Sequence, residues 1–226
     1  MIKREKYKEI VIERKNCHIC NGLTNPADVA GGQYDCEEIG AWSRWQGNLD
    51  SDIMLVGQDW GDVASFIKYR GIDPMSGRTN KILKELLSSI GCHIKSIDEM
   101  NNEKGNIFLT NAILCLKEGG MQAKVKNMWI NNCARIFLRQ QIEIINPRVV
   151  IGFGEKAFMA ILYSFGLQKT IFRWAVEADT GTLLPNGSML FAVYHCSPTT
   201  ININRDMESQ LNDWKRIYKY LTINDV

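Results

Sequence analysis

The sequence predicts an α/β fold: a three-layer α/β/α sandwich with a central, mainly parallel, four-stranded sheet. Three observations lead there. Apolar runs recur at Ile53-Met-Leu-Val-Gly57, Ile107-Phe-Leu-Thr-Asn-Ala-Ile113, Val149-Val-Ile-Gly-Phe153 and Met189-Leu-Phe-Ala-Val-Tyr194. Their hydrophobicity is continuous rather than alternating, which marks strands covered on both faces. Segments of helical spacing separate them, and strand alternating with helix calls for parallel pairing through crossovers. With 226 residues, 45% of them hydrophobic, the chain can bury one full core, so residues 1–226 read as a single domain.

Taken in order, the first ten or so residues read as a short helix or arm. From about residue 10 to 45 the chain is loop-like, rich in Gly, Asn and Asp, and carries Cys17, Cys20 and Cys36. The first strand ends at Gly57 and feeds a loop. Ile82, Leu83, Leu86, Leu87 and Ile90 give a helix from Asn80 to Ile90, stopped by Gly91. After the second strand, Glu118-Gly-Gly120 breaks the chain, and a helix runs from about Lys126 to Ile145 until Pro147 ends it. The third strand leads into a helix from Glu155 to about Phe165. The fourth runs into His195-Cys-Ser-Pro198, and an amphipathic helix from Glu208 to Leu221 closes the chain.

The formal net charge of +2 neither demands nor excludes a polyanionic partner. No apolar run of about eighteen residues occurs and the first residues are highly charged, so a cytoplasmic protein without a membrane partner is expected; a monomer is expected too, although nothing in the sequence speaks to oligomeric state. Seven cysteines is an odd number; without an export signal, metal binding or burial is a better default than disulfides.

In parallel α/β sheets ligands bind outside the carboxyl ends of the strands. There the sequence puts Gln58, Asp59, Asn111 and His195. A carboxylate, an amide and an imidazole in one crevice suit cleavage of an N-glycosidic bond. The carboxylate stabilises positive charge on the sugar and positions water, the imidazole donates to the departing base, and the amide offers a donor and an acceptor to a pyrimidine edge. Singly, each has a commoner role: Asp as a cap, Asn as a turn residue, His as a satisfied structural group.

Gly57-Gln-Asp-Trp-Gly61, Leu109-Thr-Asn-Ala-Ile-Leu114 and Tyr194-His-Cys-Ser-Pro198 resemble, in order, three signature segments of the uracil-DNA glycosylase superfamily. These are its Gly-Gln-Asp-Pro-Tyr loop, its Leu-Leu-Asn-Ala-Val-Leu strand and its His-Pro-Ser-Pro loop. The stretch from Phe137 through Asn146-Pro147 to Gly154 resembles the family's helix, proline turn and strand. The resemblance spans Cys17 to Pro198 and implies a monofunctional DNA glycosylase. It would remove uracil or a 5-substituted pyrimidine from single- or double-stranded DNA and leave an abasic site, in base-excision repair or in defence against modified foreign DNA. Carried over, Asp59 positions water, Asn111 reads the extruded base, His195 donates to the base oxygen and Gln58 holds the pocket. Gly61 stands where the classical loop has a tyrosine that closes the pocket against 5-substituents, which implies space there unless another residue refills it.

Among the aromatic residues near this loop, Trp42, Trp45, Trp60, Phe66 and Tyr69, Phe66 is the expected stacking partner of the base, although any one of them is more commonly a core filler. Ser197, Thr199 and Arg205 are expected DNA contacts, and Ile201 or Ile203 stands where the family supplies an apolar wedge. Lys117, Lys124, Lys126, Arg135 and Arg139 form a basic tendency that steers phosphates or simply faces solvent.

Cys17 and Cys20 form C-x2-C, and Cys115 and Cys133 follow with seventeen residues between them. Four thiolates bind zinc or iron–sulfur equally well. The arrangement resembles the cluster-binding branches of the superfamily, which implies a structural 4Fe–4S cluster with these four as ligands. Cys36, in the same loop, is the alternative to one of the early pair, whereas Cys92 and Cys196 read as packed residues. Two other function classes compete: a catalytically weak nucleic-acid-binding module of the same fold, and a hydrolase of free nucleosides.

Overall fold

The computed structural model describes residues 3–72, 76–94 and 105–223. The N-terminal portion contains α1 (Lys3–Lys15), β1 (Leu23–Thr24), a kinked 3-10 segment (Pro26–Gly32) and α2 (Ala41–Trp45). There follow β2 (Ile53–Asp59), α3 (Val63–Lys68), α4 (Arg78–Ser88), β3 (Ile107–Ile113), β4 (Leu116–Lys117), α5 (Asn127–Cys133) and α6 (Arg139–Ile145). The chain finishes with β5 (Val149–Phe153), α7 (Glu155–Ser164), α8 (Phe172–Glu177), β6 (Thr182–Leu183), β7 (Met189–Val193), α9 (Pro198–Ile203) and α10 (Met207–Ile223).

Side-chain alternation along the buried strands divides the core into two layers. Met54, Val56, Phe108, Val150, Leu190 and Ala192 face one side, where α1, α5, α6 and α7 supply Ile10, Ile130, Ile142 and Phe158. Ile53, Leu55, Leu109, Ile151, Phe191 and Val193 face the other, against Leu83, Leu86 and Leu87 of α4 and Trp214 and Ile217 of α10. Both faces of the sheet are therefore covered, as the continuous apolar runs predict.

The strand order is β3-β2-β5-β7-β6. The first four are the predicted parallel strands. The fifth is a two-residue antiparallel edge, with Thr182 opposite Leu190, too short to leave a periodic signal. From β2 the chain first moves outward to β3 and then crosses back to β5 on the other side. This reversal opens a crevice at the carboxyl ends of β2 and β5, the place where such sheets bind ligands.

The helix predicted from Lys126 to Ile145 is interrupted. Residues Ala134–Leu138 form a π turn between α5 and α6, and Asn146, left-handed at φ 49°, ends α6. Away from the main sheet, β1 pairs antiparallel with β4, Leu23 opposite Lys117 and Thr24 opposite Leu116. No helix among the described residues is long and apolar enough to cross a membrane.

Candidate active site and cysteine cavity

Asp59 is the last residue of β2 and His195 follows β7 by two residues. The crevice brings both to the wall of one cavity of about 580 Å³, together with Trp42, Trp60, Tyr69, Arg78, Met121 and Pro198. Gln58 Nε2 donates to Asp59 Oδ2 at 2.6 Å. Asp59 Oδ1 lies 3.0 Å from Lys117 Nζ, and the two side chains are 5% and 4% exposed. Lys117 also donates to the Met121 carbonyl at 2.9 Å, and its backbone N–H donates to the Gly61 carbonyl at 3.0 Å.

Lys117, expected from the sequence to steer phosphates or face solvent, does neither. Lys117 is buried and ion-paired inside the site. The β1–β4 ribbon turns it inward, and a ribbon of two-residue strands carries no pattern by which the sequence could announce it.

His195 is fixed by two contacts. The backbone N–H of Ser197 donates to Nδ1 at 3.1 Å, and the ring lies 4.7 Å from that of Phe153, tilted by 41°. With Nδ1 accepting, the proton of the neutral imidazole belongs on Nε2, which makes that atom a donor. Burial lowers the pKa of His195 below its ordinary value, and the nearby negative charge of Asp59 works in the opposite direction. Cys196, fully buried, ties the loop to the start of α4 through a hydrogen bond from Sγ to the Thr79 carbonyl at 3.3 Å.

Asn111 lies behind this wall rather than in it. It pairs with Gly57 across β2 and β3, and its Oδ1 is buried without a hydrogen-bond partner. A Cβ on residue 57 would stand 2.6 Å from Asn111 Oδ1 and 2.8 Å from the Trp42 ring. Glycine there lets the amide and the indole meet over the strand.

Other expected contacts are placed differently. Phe66 is 2% exposed and packs with Val29 and Leu116. Its ring stands edge-on to Trp60, centroids 5.4 Å apart, so Trp60, not Phe66, is at the cavity. Trp42 and Tyr69 are there too, whereas Trp45 belongs to the core. Ser197 caps α9, its side chain accepting from Thr200 N at 3.3 Å. Thr199 is exposed in the first turn of that helix, and Ile203 at its end is 75% exposed. Arg205 donates from Nε and Nη2 to the two oxygens of Asp213, at 3.1 and 2.7 Å, so its guanidinium fork is turned to α10 rather than offered to a phosphate. Arg78, exposed at the start of α4, is the arginine on the cavity wall that the sequence reading passed over.

The space beside Gly61, which the sequence left open, is occupied. A Cβ on residue 61 would stand 2.6 Å from Met121 Sδ, and the backbone φ there is +142°.

Cys17, Cys20, Cys115 and Cys133 line a second cavity of about 190 Å³ with Arg14, Asn25 and Phe137. Burial and the other cysteines push up the Cys115 thiol, and burial first of all pushes Cys133 up to about 12. Asn132 Nδ2 donates to Cys20 Sγ at 3.5 Å. Arg14, 1% exposed, donates from Nη1 to both oxygens of Asp35 at 2.9 and 2.8 Å, while its buried Nε has no partner. Cys36 lies apart, with Sγ 3.6 Å from the Gly40 carbonyl. Among the described residues, no group of three or more His, Cys, Asp or Glu side chains is gathered around a point where it could hold a single ion. Cys92 and Cys196 are buried in or beside the α4 and α10 layer.

Comparison with known proteins places the chain in a family. A type-4 uracil-DNA glycosylase of Thermotoga maritima is 28% identical over 158 residues, covering 70% of this chain and 67% of the relative. A type-5 uracil-DNA glycosylase of Pyrobaculum aerophilum is 26% identical over 214 residues, covering 88% and 86%. The model of the Uracil DNA glycosylase superfamily matches residues 45–221, most of the chain and all of the sheet, and the chain belongs to that superfamily.

Proposed function

We propose that this protein is a monofunctional DNA glycosylase that hydrolyses the N-glycosidic bond of uracil or a 5-substituted pyrimidine extruded from DNA, leaving an abasic site for base-excision repair. The observation that carries this reading is the meeting of Asp59 and His195 in one cavity at the carboxyl ends of the parallel strands. The family and the names of the two relatives point the same way.

In this mechanism the C1′–N bond breaks with its electron pair moving to the base, water adds at C1′, and the water's proton ends on the departing base. Asp59 stabilises the positive charge that grows on the sugar and orients the water. The Nε2–H of His195 donates to the base oxygen as negative charge develops there, a donor role that suits an imidazole kept neutral by burial. Asn111 Oδ1, buried and lacking a partner, is the acceptor for an N–H of the base edge. Trp60 offers the stacking face, Arg78 meets a flanking phosphate, and Ile203 is the apolar side chain available to fill the gap in the duplex.

The four cavity cysteines suit a 4Fe–4S cluster held by thiolates, with zinc as the second reading. Four soft donors spread round a cavity, one of them already accepting an N–H···S bond, suit a cluster of several atoms better than one ion. Such a group, when bound, supplies folding energy rather than chemistry. Glycosidic hydrolysis involves no electron transfer.

The test is alkali-induced strand cleavage of an oligonucleotide bearing one uracil. Cleavage that is lost in Asp59→Asn supports the reading. Binding of the oligonucleotide with no cleavage at uracil or at any modified pyrimidine would favour the binding-module reading, and release of base from free nucleosides alone would make the protein a nucleoside hydrolase.

A further inference from the structure

We propose that Met121 sets the size of the base this pocket accepts and that Lys117 holds it in position. The proposal rests on the glycosylase reading and names the specificity element within it. The Met121 thioether occupies the volume that a side chain on residue 61 would fill, since a Cβ there would approach Sδ to 2.6 Å and Cε to 3.3 Å. Met121 also lines the same cavity as Asp59 and His195, so a base seated between those two groups meets it.

Met121 is 53% exposed, so packing of its side chain does not hold it. The backbone does. Lys117 Nζ binds the Met121 carbonyl at 2.9 Å and Asp59 Oδ1 at 3.0 Å, while the Lys117 N–H binds the Gly61 carbonyl at 3.0 Å. One buried lysine thus ties together the catalytic carboxylate, the residue that lacks a side chain and the residue that supplies one in its place. Gly119 and Gly120, at φ +84° and +91°, give the chain the left-handed turn that brings Met121 back over Gly61. An unbranched thioether with three rotatable bonds adjusts to its neighbours. The filter is therefore graded: it disfavours a larger base by the work of moving Met121 and is not a fixed wall.

The experiment measures single-turnover excision of uracil and of 5-hydroxymethyluracil from otherwise identical duplexes, and the readout is the ratio of the two rates. Met121→Ala raises the relative rate for 5-hydroxymethyluracil about tenfold, the scale of one or two methylenes in a binding pocket, and Met121→Phe moves the ratio the other way. Lys117→Met slows uracil excision and raises the same ratio, while Lys117→Arg keeps it near wild type. A ratio that stays within about twofold of wild type in Met121→Ala, with uracil still excised, overturns this inference and leaves the glycosylase reading intact. Wild-type protein that excises neither base overturns both.

Discussion

Lys117 Nζ lies 3.0 Å from Asp59 Oδ1, with both side chains almost fully buried, so the carboxylate proposed to act on the sugar is already paired with a cation. An attacking lysine would need its amine free, whereas this one donates to Asp59 and to the Met121 carbonyl. Borohydride added during turnover is therefore expected to trap no covalent protein–DNA adduct. A lysine-dependent adduct would mean that the enzyme is a lyase as well. Lys117→Met strands a buried carboxylate and should destabilise the fold by about 3–5 kcal/mol, read as a fall in denaturant midpoint, with Lys117→Arg recovering most of it.

Asp59→Asn keeps the shape of the side chain and removes its charge. Excision of uracil should fall about 10²–10⁴-fold, the range for a positioned acid–base group, with little change in DNA affinity measured by anisotropy. Loss of binding in place of rate would move Asp59 from chemistry to recognition.

His195 has its pKa lowered chiefly by burial. Between the ordinary imidazole value of about 6.5 and that lower value, the unfolded chain takes up a proton that the folded chain refuses. Stability is therefore unaffected by this group above pH 6.5 and is lost as pH falls through the window beneath it. Protonation also sets Nδ1 against the Ser197 N–H that it accepts from. The wild-type rate should be flat through neutrality and drop on the acid side. His195→Ala should reduce the rate about 10²–10³-fold and flatten the acid loss of stability; an unfolding midpoint with the same pH slope in both proteins would exclude His195 as its source.

Cys133→Ser removes a thiol from the wall of the second cavity. Protein purified without oxygen should lose the visible absorption of an iron–sulfur cluster and show a lower melting temperature. A colourless wild type containing one zinc per chain would establish the other metal. Cys36→Ser, outside that wall, should leave the metal content unchanged.

Gly57→Ala tests the contact over the central strand. The added methyl would stand 2.6 Å from Asn111 Oδ1 and 2.8 Å from Trp42, and overpacking of this kind costs about 1–3 kcal/mol. Uracil excision should fall further than stability alone explains, because the amide is displaced. Excision at the wild-type rate would separate Asn111 from base recognition.

The sheet was legible because its strands announce themselves locally: Ile53 to Gly57 and Val149 to Phe153 are apolar without interruption, and nothing but burial on both faces explains that. Asp59 and His195 followed from their places after such strands. Lys117 and Met121 did not, since what turns them inward is the pairing of Leu23 with Lys117 and the close approach at Gly61, contacts between segments far apart in sequence. Phe66 drew attention as an aromatic near the first loop, but helix α3, capped by Asp62, points it at Val29 and Leu116. Arg205 reads as a free base until its partner Asp213, eight residues on in the next helix, is seen. Cys17 and Cys20 were legible as a C-x2-C pair, and Cys115 and Cys133 joined them only through the family resemblance, whereas the unpartnered Arg14 Nε beside them was not legible, because burial of an arginine head depends on Asp35 and two loop carbonyls.

The short ribbon of β1 and β4 gives the two cavities a common hinge pin. Cys20 lies three residues before Leu23, and Cys115 two residues before Lys117, so the wall of the cysteine cavity and the seat of the ammonium against its carboxylate draw on the same few peptide units. If the proposed cluster is bound there, maturation would be a single event: a freshly made chain without it would also lack a finished wall beside Asp59. Amide exchange at Lys117 that is equally slow before and after metal loading would show that the wall assembles alone.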